Sequence, residues 1–169
     1  MTVLMKKEKL LTIFALSVLI ISVASCNKTN EFEELEKQQI SEYLDKSSVA
    51  FEKKPSGLYY SQIVAGNGIV PVKYDTAYVR YTGKLLDGTI FDSNITSSAP
   101  LAVLIGSPSV IQGFMEGITY MASGGKSLFL IPSSLGYGSV GNYYGGISGY
   151  TPLLFEVQLV LVKPGKDHK

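Results

Sequence analysis

The stretch TAYVRYTGKLLDGTIFD, residues 76–92, decides the fold. Ala77, Val79, Tyr81, Gly83 and Leu85 fall on one face of it, and Tyr78, Arg80, Thr82 and Lys84 on the other. That two-residue period is the mark of a strand with one buried face. Asp87-Gly88 is a turn pair, so the strand is expected to fold back as a hairpin into Ile90-Phe91-Asp92.

Working outward toward the C-terminus, a polar stretch from Ser93 to Ala99 leads to a short apolar run, Leu101 to Ile105, closed by Gly106. Val110, Ile111, Phe114, Ile118 and Met121 then step at helical spacing, and Gly124-Gly125 is read as the left-handed cap that ends this helix. Leu128 to Ile131 reads as a buried strand stopped by Pro132. Ser133 to Pro152 is a Gly- and Tyr-rich loop too long for a bare connection. In the last strand Leu153, Phe155, Val157, Leu159 and Leu161 share one side, with Glu156 and Gln158 on the other. The class implied is α+β, one helix against a curved antiparallel sheet.

Working toward the N-terminus, Leu58 to Val64 is a further strand, and the breaker cluster Lys53-Lys54-Pro55-Ser56-Gly57 marks the expected domain boundary. Before it, residues 31–46 are acidic, with Phe32, Leu35, Ile40, Tyr43 and Leu44 forming the apolar side of one modest amphipathic helix. Such a helix can dock on the domain, pair with a second copy, or act as a spacer, which is the simplest of the three. Glu31, Glu33, Glu34 and Glu36 suit its first turns, where the helix dipole favours negative charge.

The first 25 residues have the three parts of a secretory leader: basic Lys6, Lys7 and Lys9, an apolar run from Leu10 to Ala24, and small residues before Cys26. The run is short for a bilayer span, which takes about 20 residues. Val23-Ala24-Ser25-Cys26 is similar to a bacterial lipobox, in which the leader is cut before a cysteine that then carries several acyl chains, enough for durable anchoring. The expected organisation is a signal peptide (1–25), a lipid anchor and helical spacer (26–54), one domain (55–164) and a tail (165–169). The expected location is the cell envelope, with the lipid on the outer membrane and the domain facing the periplasm.

Composition excludes several functions. The chain carries 15 Lys+Arg against 14 Asp+Glu, a balance that recruits neither nucleic acid nor an anionic membrane. Cys26 is the only cysteine, so no disulfide forms within the chain. His168, the only histidine, stands in the polar tail, so no His-based triad or metal cluster is expected. Gly145-Gly146 and Gly149 precede no helix start, which leaves no phosphate cradle.

Taken in order, Val79-Arg80-Tyr81-Thr82-Gly83-Lys84-Leu85, Asp87-Gly88, Phe91-Asp92-Ser93, Val110-Ile111-Gln112-Gly113-Phe114, Glu116-Gly117, Ile131-Pro132, Tyr137-Gly138 and Leu153-Leu154-Phe155-Glu156-Val157 resemble the signature of the FKBP-type peptidyl-prolyl cis/trans isomerases. The likeness runs from about Gly57 to Val162, and the lipoprotein isomerases of gliding Bacteroidetes are the nearest look-alikes. It implies a five- or six-stranded sheet curled over one short helix. It also implies a cleft with Tyr81, Phe91, Asp92 and Tyr137 as catalytic positions and Val110, Ile111, Phe155 and Leu101 as binding wall, over a floor at Phe114. The family's donors to substrate carbonyls would be the Ile111 N–H and the Tyr137 hydroxyl. No cofactor or metal is implied, the partners would be X-Pro polypeptide segments, and the protein is expected to be a monomer. The chain departs from the family at Phe114, where Trp is usual, at Leu101, where Phe is frequent, and at Ile147-Ser148, where Ile-Pro is usual.

Each of these residues also has a plain structural reading. Phe155 lies on the core side of its strand, Val110 and Ile111 fit a helix's buried face, and Asp92 fits a turn. Tyr137, between Gly136 and Gly138, is hardest to explain structurally. The chemistry would need little else, because rotation about an X-Pro amide breaks no bond. Its barrier of about 18–20 kcal/mol reflects lost resonance, and a dry apolar wall favours the twisted form over the planar one that water solvates. Two readings follow: a working isomerase for envelope or secreted proteins, and a peptide-binding module without turnover.

Overall fold

A computed structural model describes residues 29–166 and 168. The leader, Cys26 and the lipobox lie outside the described residues. Among the described residues seven strands form one antiparallel sheet: β1 (Glu52–Lys53), β2 (Tyr59–Val64), β3 (Thr76–Leu85), β4 (Ile90–Ser93), β5 (Leu101–Leu104), β6 (Lys126–Ile131) and β7 (Leu153–Lys163). Their order is β1-β2-β6-β7-β3-β4, with β5 also paired to β3. The expectation of five or six strands holds apart from β1, a two-residue strand beside the breaker cluster that pairs Glu52 with Tyr60.

Helix α1 spans residues 29–46 and helix α2 Gln112–Thr119. They cover the sheet from opposite sides. On the inner side Phe114 and Ile118 of α2 pack with Phe129, Phe155, Val157 and Leu159 in the main core. On the outer side Ile40 of α1 meets Leu130 and Leu154, with Tyr43 and Leu44 half-buried beside them. Of the three roles open to the amphipathic helix, docking on the domain is the one observed. Phe32 and Leu35, from its expected apolar side, stay about half exposed.

Two details differ from the sequence reading. The alternation of β7 does not run through to Leu161. Val79 pairs with Leu159 but Tyr78 with Leu161, so Val160 is an extra residue, a bulge that reverses the faces beyond it. Leu161 is therefore exposed and Val162 buried. Helix α2 is also shorter than its apolar period. Ile111 is extended (φ −60°, ψ 148°), and the helix closes at Tyr120, whose N–H bonds the Gly117 carbonyl. Gly124 does not cap it. The chain beyond Met121 is drawn off to pair with the loop before β3, Ser123 N–H donating to the Ile69 carbonyl at 2.9 Å. Gly124, at φ +86°, turns into β6 and donates to the Leu159 carbonyl at 2.7 Å.

Candidate active site

Five of the expected cleft residues come from four separate elements and meet at one end of the inner core. β3 supplies Tyr81, β4 Phe91 and Asp92, α2 Phe114, and β7 Phe155. Their rings interlock edge to face: Phe114 and Phe155 at 5.0 Å between centroids, Tyr81 and Phe114 at 5.4 Å, Phe91 and Phe155 at 5.5 Å. These are favourable aromatic geometries. Gly83 makes the cluster possible. A Cβ there would lie 2.6 Å from the Phe91 ring and 2.9 Å from that of Phe155, so a bare backbone at this β3 position lets the two rings close over the strand.

The polar corner is made by Tyr81, whose hydroxyl donates to Asp92 Oδ2 at 2.7 Å. Burial first, then this hydrogen bond and the Asp92 charge, push the Tyr81 hydroxyl well above the usual tyrosine range. It therefore stays a proton donor at physiological pH. The neighbouring Tyr137 adds a smaller contribution in the same direction.

Leu101, Val110, Ile111 and Tyr137 are partly buried and pack against the same core. Leu101 reaches it from β5, opposite Val79. Val110, in a bend, and Ile111, in extended backbone, precede α2 and do not lie on its helical face. The Ile111 carbonyl accepts the first helical bond, from Met115 at 3.1 Å. Among the described residues, neither the Ile111 N–H nor the Tyr137 hydroxyl has a hydrogen-bond partner. Two donors thus stand open beside an apolar aromatic floor. A groove of about 630 Å³ lies elsewhere, behind the loop and under α1, lined by Ile40, Tyr59, Ser133 and Tyr150.

Sequence reasoning passed over Asn94, in the polar stretch after β4. It is buried, its Oδ1 accepts from the Tyr81 N–H at 2.7 Å, and its Nδ2 donates to the Val79 carbonyl at 2.9 Å. Its side chain thus takes the place of a strand beside Tyr81 and fixes that residue's backbone. Arg80 fastens the same segment by donating to the carbonyls of Asn94, Ile95 and Ser97 at 3.0–3.2 Å.

The site can hold a peptide by two donors over an apolar surface. Comparison with known proteins identifies the family. The family described as FKBP-type peptidyl-prolyl cis-trans isomerase matches residues 68–160. The chain is 41% identical over 106 residues to an FK506-binding protein of Neisseria meningitidis, covering 63% of this chain and 96% of that one. It is 39% identical over 121 residues to an outer membrane protein MIP of Legionella longbeachae, covering 70% and 50%. A peptidyl-prolyl cis-trans isomerase structure from Pseudomonas syringae superposes with a TM-score of 0.68 at 29% identity, over 80% of this chain and 96% of that one. The chain spans 39–50% of the length of the first curated relatives it matches.

Proposed function

This chain belongs to the FKBP-type peptidyl-prolyl cis-trans isomerase family, and on that premise we propose that it accelerates rotation of X-Pro amides in polypeptide segments bound over the Phe114 floor. The observation that carries the reading is the pairing of an aromatic floor with two unengaged donors, the Ile111 N–H and the Tyr137 hydroxyl, beside the Tyr81–Asp92 corner. The floor excludes water from the amide, so the planar form loses the solvation that favours it in water, while the twisted form loses less. The donors hold the flanking carbonyls so that rotation occurs about one bond. Nothing is transferred. Tyr81 keeps Asp92 turned toward the cleft rim without exchanging its proton.

The leader pattern before Cys26 and the outer membrane designation of the Legionella relative support a cell-envelope location. We place the lipid on Cys26 and the domain in the periplasm, where slow proline steps of secreted and envelope proteins would be its substrates. A protease-coupled assay on a short X-Pro peptide tests the activity. The expected result is a rate that rises linearly with protein. Rates equal to the buffer control at micromolar protein would instead assign the cleft to peptide binding without turnover.

A further inference from the structure

Helix α1 does more than cover the sheet. Its Glu36 is buried, and both carboxylate oxygens are taken by one residue of the loop that carries Tyr137. The Ser133 N–H donates to Oε1 at 2.5 Å and the Ser133 hydroxyl to Oε2 at 2.6 Å. Among the described residues no cation pairs with this carboxylate. A buried carboxylate without a counter-ion is a poor way to gain stability, since desolvation opposes it and an apolar residue of similar volume would serve as well or better. Its placement calls for another reason, and the bonding of Ser133 supplies one.

The Ser133 carbonyl accepts from the N–H groups of Gly136 at 2.9 Å and Gly138 at 2.8 Å, the two residues flanking Tyr137. Ser133 is thus the hub of the tight turn that presents Tyr137, and Glu36 occupies both of its donors. A second attachment reaches the same place independently. The Phe32 ring stacks on Tyr150 at 5.5 Å and 12°, and the Tyr150 N–H donates to the Gly138 carbonyl at 2.9 Å. Both routes from α1 converge on Gly138, next to Tyr137, from opposite ends of the loop.

We propose that Glu36, with Phe32, is a positioning residue for the isomerase site: α1 clamps the 133–150 loop so that the Tyr137 hydroxyl faces the bound peptide. The proposal rests on the reading of Tyr137 given above. In this protein the segment between the leader and the sheet is part of the working site, and the tether is coupled mechanically to turnover. Glu36 touches no substrate, so its effect passes through Ser133 and Tyr137.

The test uses the full chain and two readouts. Amide hydrogen exchange at Gly136 and Gly138 reports the clamp whether or not Tyr137 takes part in turnover. kcat/KM in the protease-coupled assay reports its use, for Glu36→Ala, Glu36→Gln and Phe32→Ala, each alone and combined with Tyr137→Phe. Glu36→Ala is expected to speed exchange at both glycines about tenfold while amides of β3 and β7 are unchanged. It should lower kcat/KM about threefold or more, with Glu36→Gln, which keeps one acceptor, in between. These losses should largely vanish when Tyr137 is already Phe, because groups acting in series are not additive.

Unchanged exchange at Gly136 and Gly138 overturns the proposal, as do faster exchange with unchanged kcat/KM and losses that simply multiply with that of Tyr137→Phe. If Tyr137→Phe alone has full activity, the reading of the site fails and takes the proposal with it. If Tyr137→Phe is impaired and Glu36→Ala is not, the proposal alone fails. Should Glu36→Ala not fold, Phe32→Ala carries the same measurements, since that ring is half exposed and outside the core.

Discussion

The Tyr81 hydroxyl lies 2.7 Å from Asp92 Oδ2, and through this bond the cleft's polar corner keeps one arrangement across the physiological pH range. Burial and the adjacent carboxylate both stabilise the protonated phenol. The pair is a donor and its acceptor, and in the proposed mechanism neither partner serves as an acid or a base.

A pH profile follows from this inventory. General acid–base catalysis near neutrality calls on a histidine or a strongly shifted carboxyl or lysine. The cleft residues include no histidine, cysteine or lysine, and burial with the hydrogen bond to Asp92 pushes the Tyr81 hydroxyl upward, away from neutrality. kcat/KM is therefore expected to be nearly flat between about pH 6 and 8.5. A bell-shaped profile in that window, from protein that stays folded throughout, would rule out the noncovalent mechanism.

Phe91→Ala and Tyr137→Phe separate wall from donor. Phe91 is half-buried, so its loss should lower stability by about 1–3 kcal/mol in urea unfolding and kcat/KM by about tenfold or more. Tyr137→Phe removes a hydroxyl with no partner among the described residues, so stability should change by less than about 0.5 kcal/mol. Its kcat/KM should fall about three- to tenfold, the worth of one hydrogen bond to substrate. A Tyr137→Phe enzyme with wild-type kcat/KM and peptide affinity would remove that hydroxyl from the mechanism.

Asn94→Ala should destabilise the fold far more than a surface asparagine would. It leaves the Tyr81 N–H and the Val79 carbonyl without partners inside the protein, at about 1–3 kcal/mol for each buried group. Asn94→Asp restores the acceptor for Tyr81 but not the donor for Val79, and should fall between. Urea midpoints for the three proteins check this order. Equal stability of Asn94→Ala and wild type would mean that water replaces the side chain fully.

What the sequence disclosed, and what it hid, follows from how each element is buried. β3 and its hairpin were legible because one face is apolar and the other polar, with a turn pair at the end. The bulge at Val160 was not, since Leu159-Val160-Leu161-Val162 is apolar throughout and offers no period to break. The start of α2 was blurred for the same reason, Val110 and Ile111 being apolar residues that precede the helix. The docking of α1 had a signal that was overlooked. Leu153-Leu154-Phe155 and Phe129-Leu130-Ile131 are continuous apolar runs, the pattern of strands covered on both faces. Leu130 and Leu154 are the outer-face residues that Ile40 covers. Asn94 and the Glu36–Ser133 pair join residues far apart in the chain through polar atoms, which no periodicity encodes.

Cys26 is the only thiol in the chain, so it alone can accept a thioether-linked lipid. Cys26→Ala is expected to abolish metabolic labelling with palmitate and to release the protein from the membrane fraction. Label that persists in the variant would overturn the lipobox reading.

The last prediction concerns acid stability and rests on Asp75, which is fully buried between the start of β3 and the C-terminal segment. Burial by itself would raise the pKa of this carboxyl. The Gly165 N–H at 2.7 Å, the Val72 N–H at 2.9 Å and His168 Nδ1 at 2.6 Å more than offset that, and the net effect holds it below the usual carboxylate range. A carboxylate has no proton to give, so Nδ1 is the donor. A group whose folded value is depressed contributes stability above its unfolded value, near 3.9, and loses it as pH falls from there through the lower folded value. Asp75→Asn replaces one of the two acceptor oxygens by an NH2 group, which then faces the Gly165 N–H or the Val72 N–H and His168, and it removes the titration. The variant is expected to unfold at lower urea than wild type at pH 7, and the gap should narrow as pH drops below about 4. Because that window lies well under the pH 6–8.5 range of the activity profile, the two measurements do not interfere. Urea midpoints for both proteins from pH 7 to pH 2.5 decide it: a gap that stays constant across the range would show that Asp75 contributes through its shape and not through its charge.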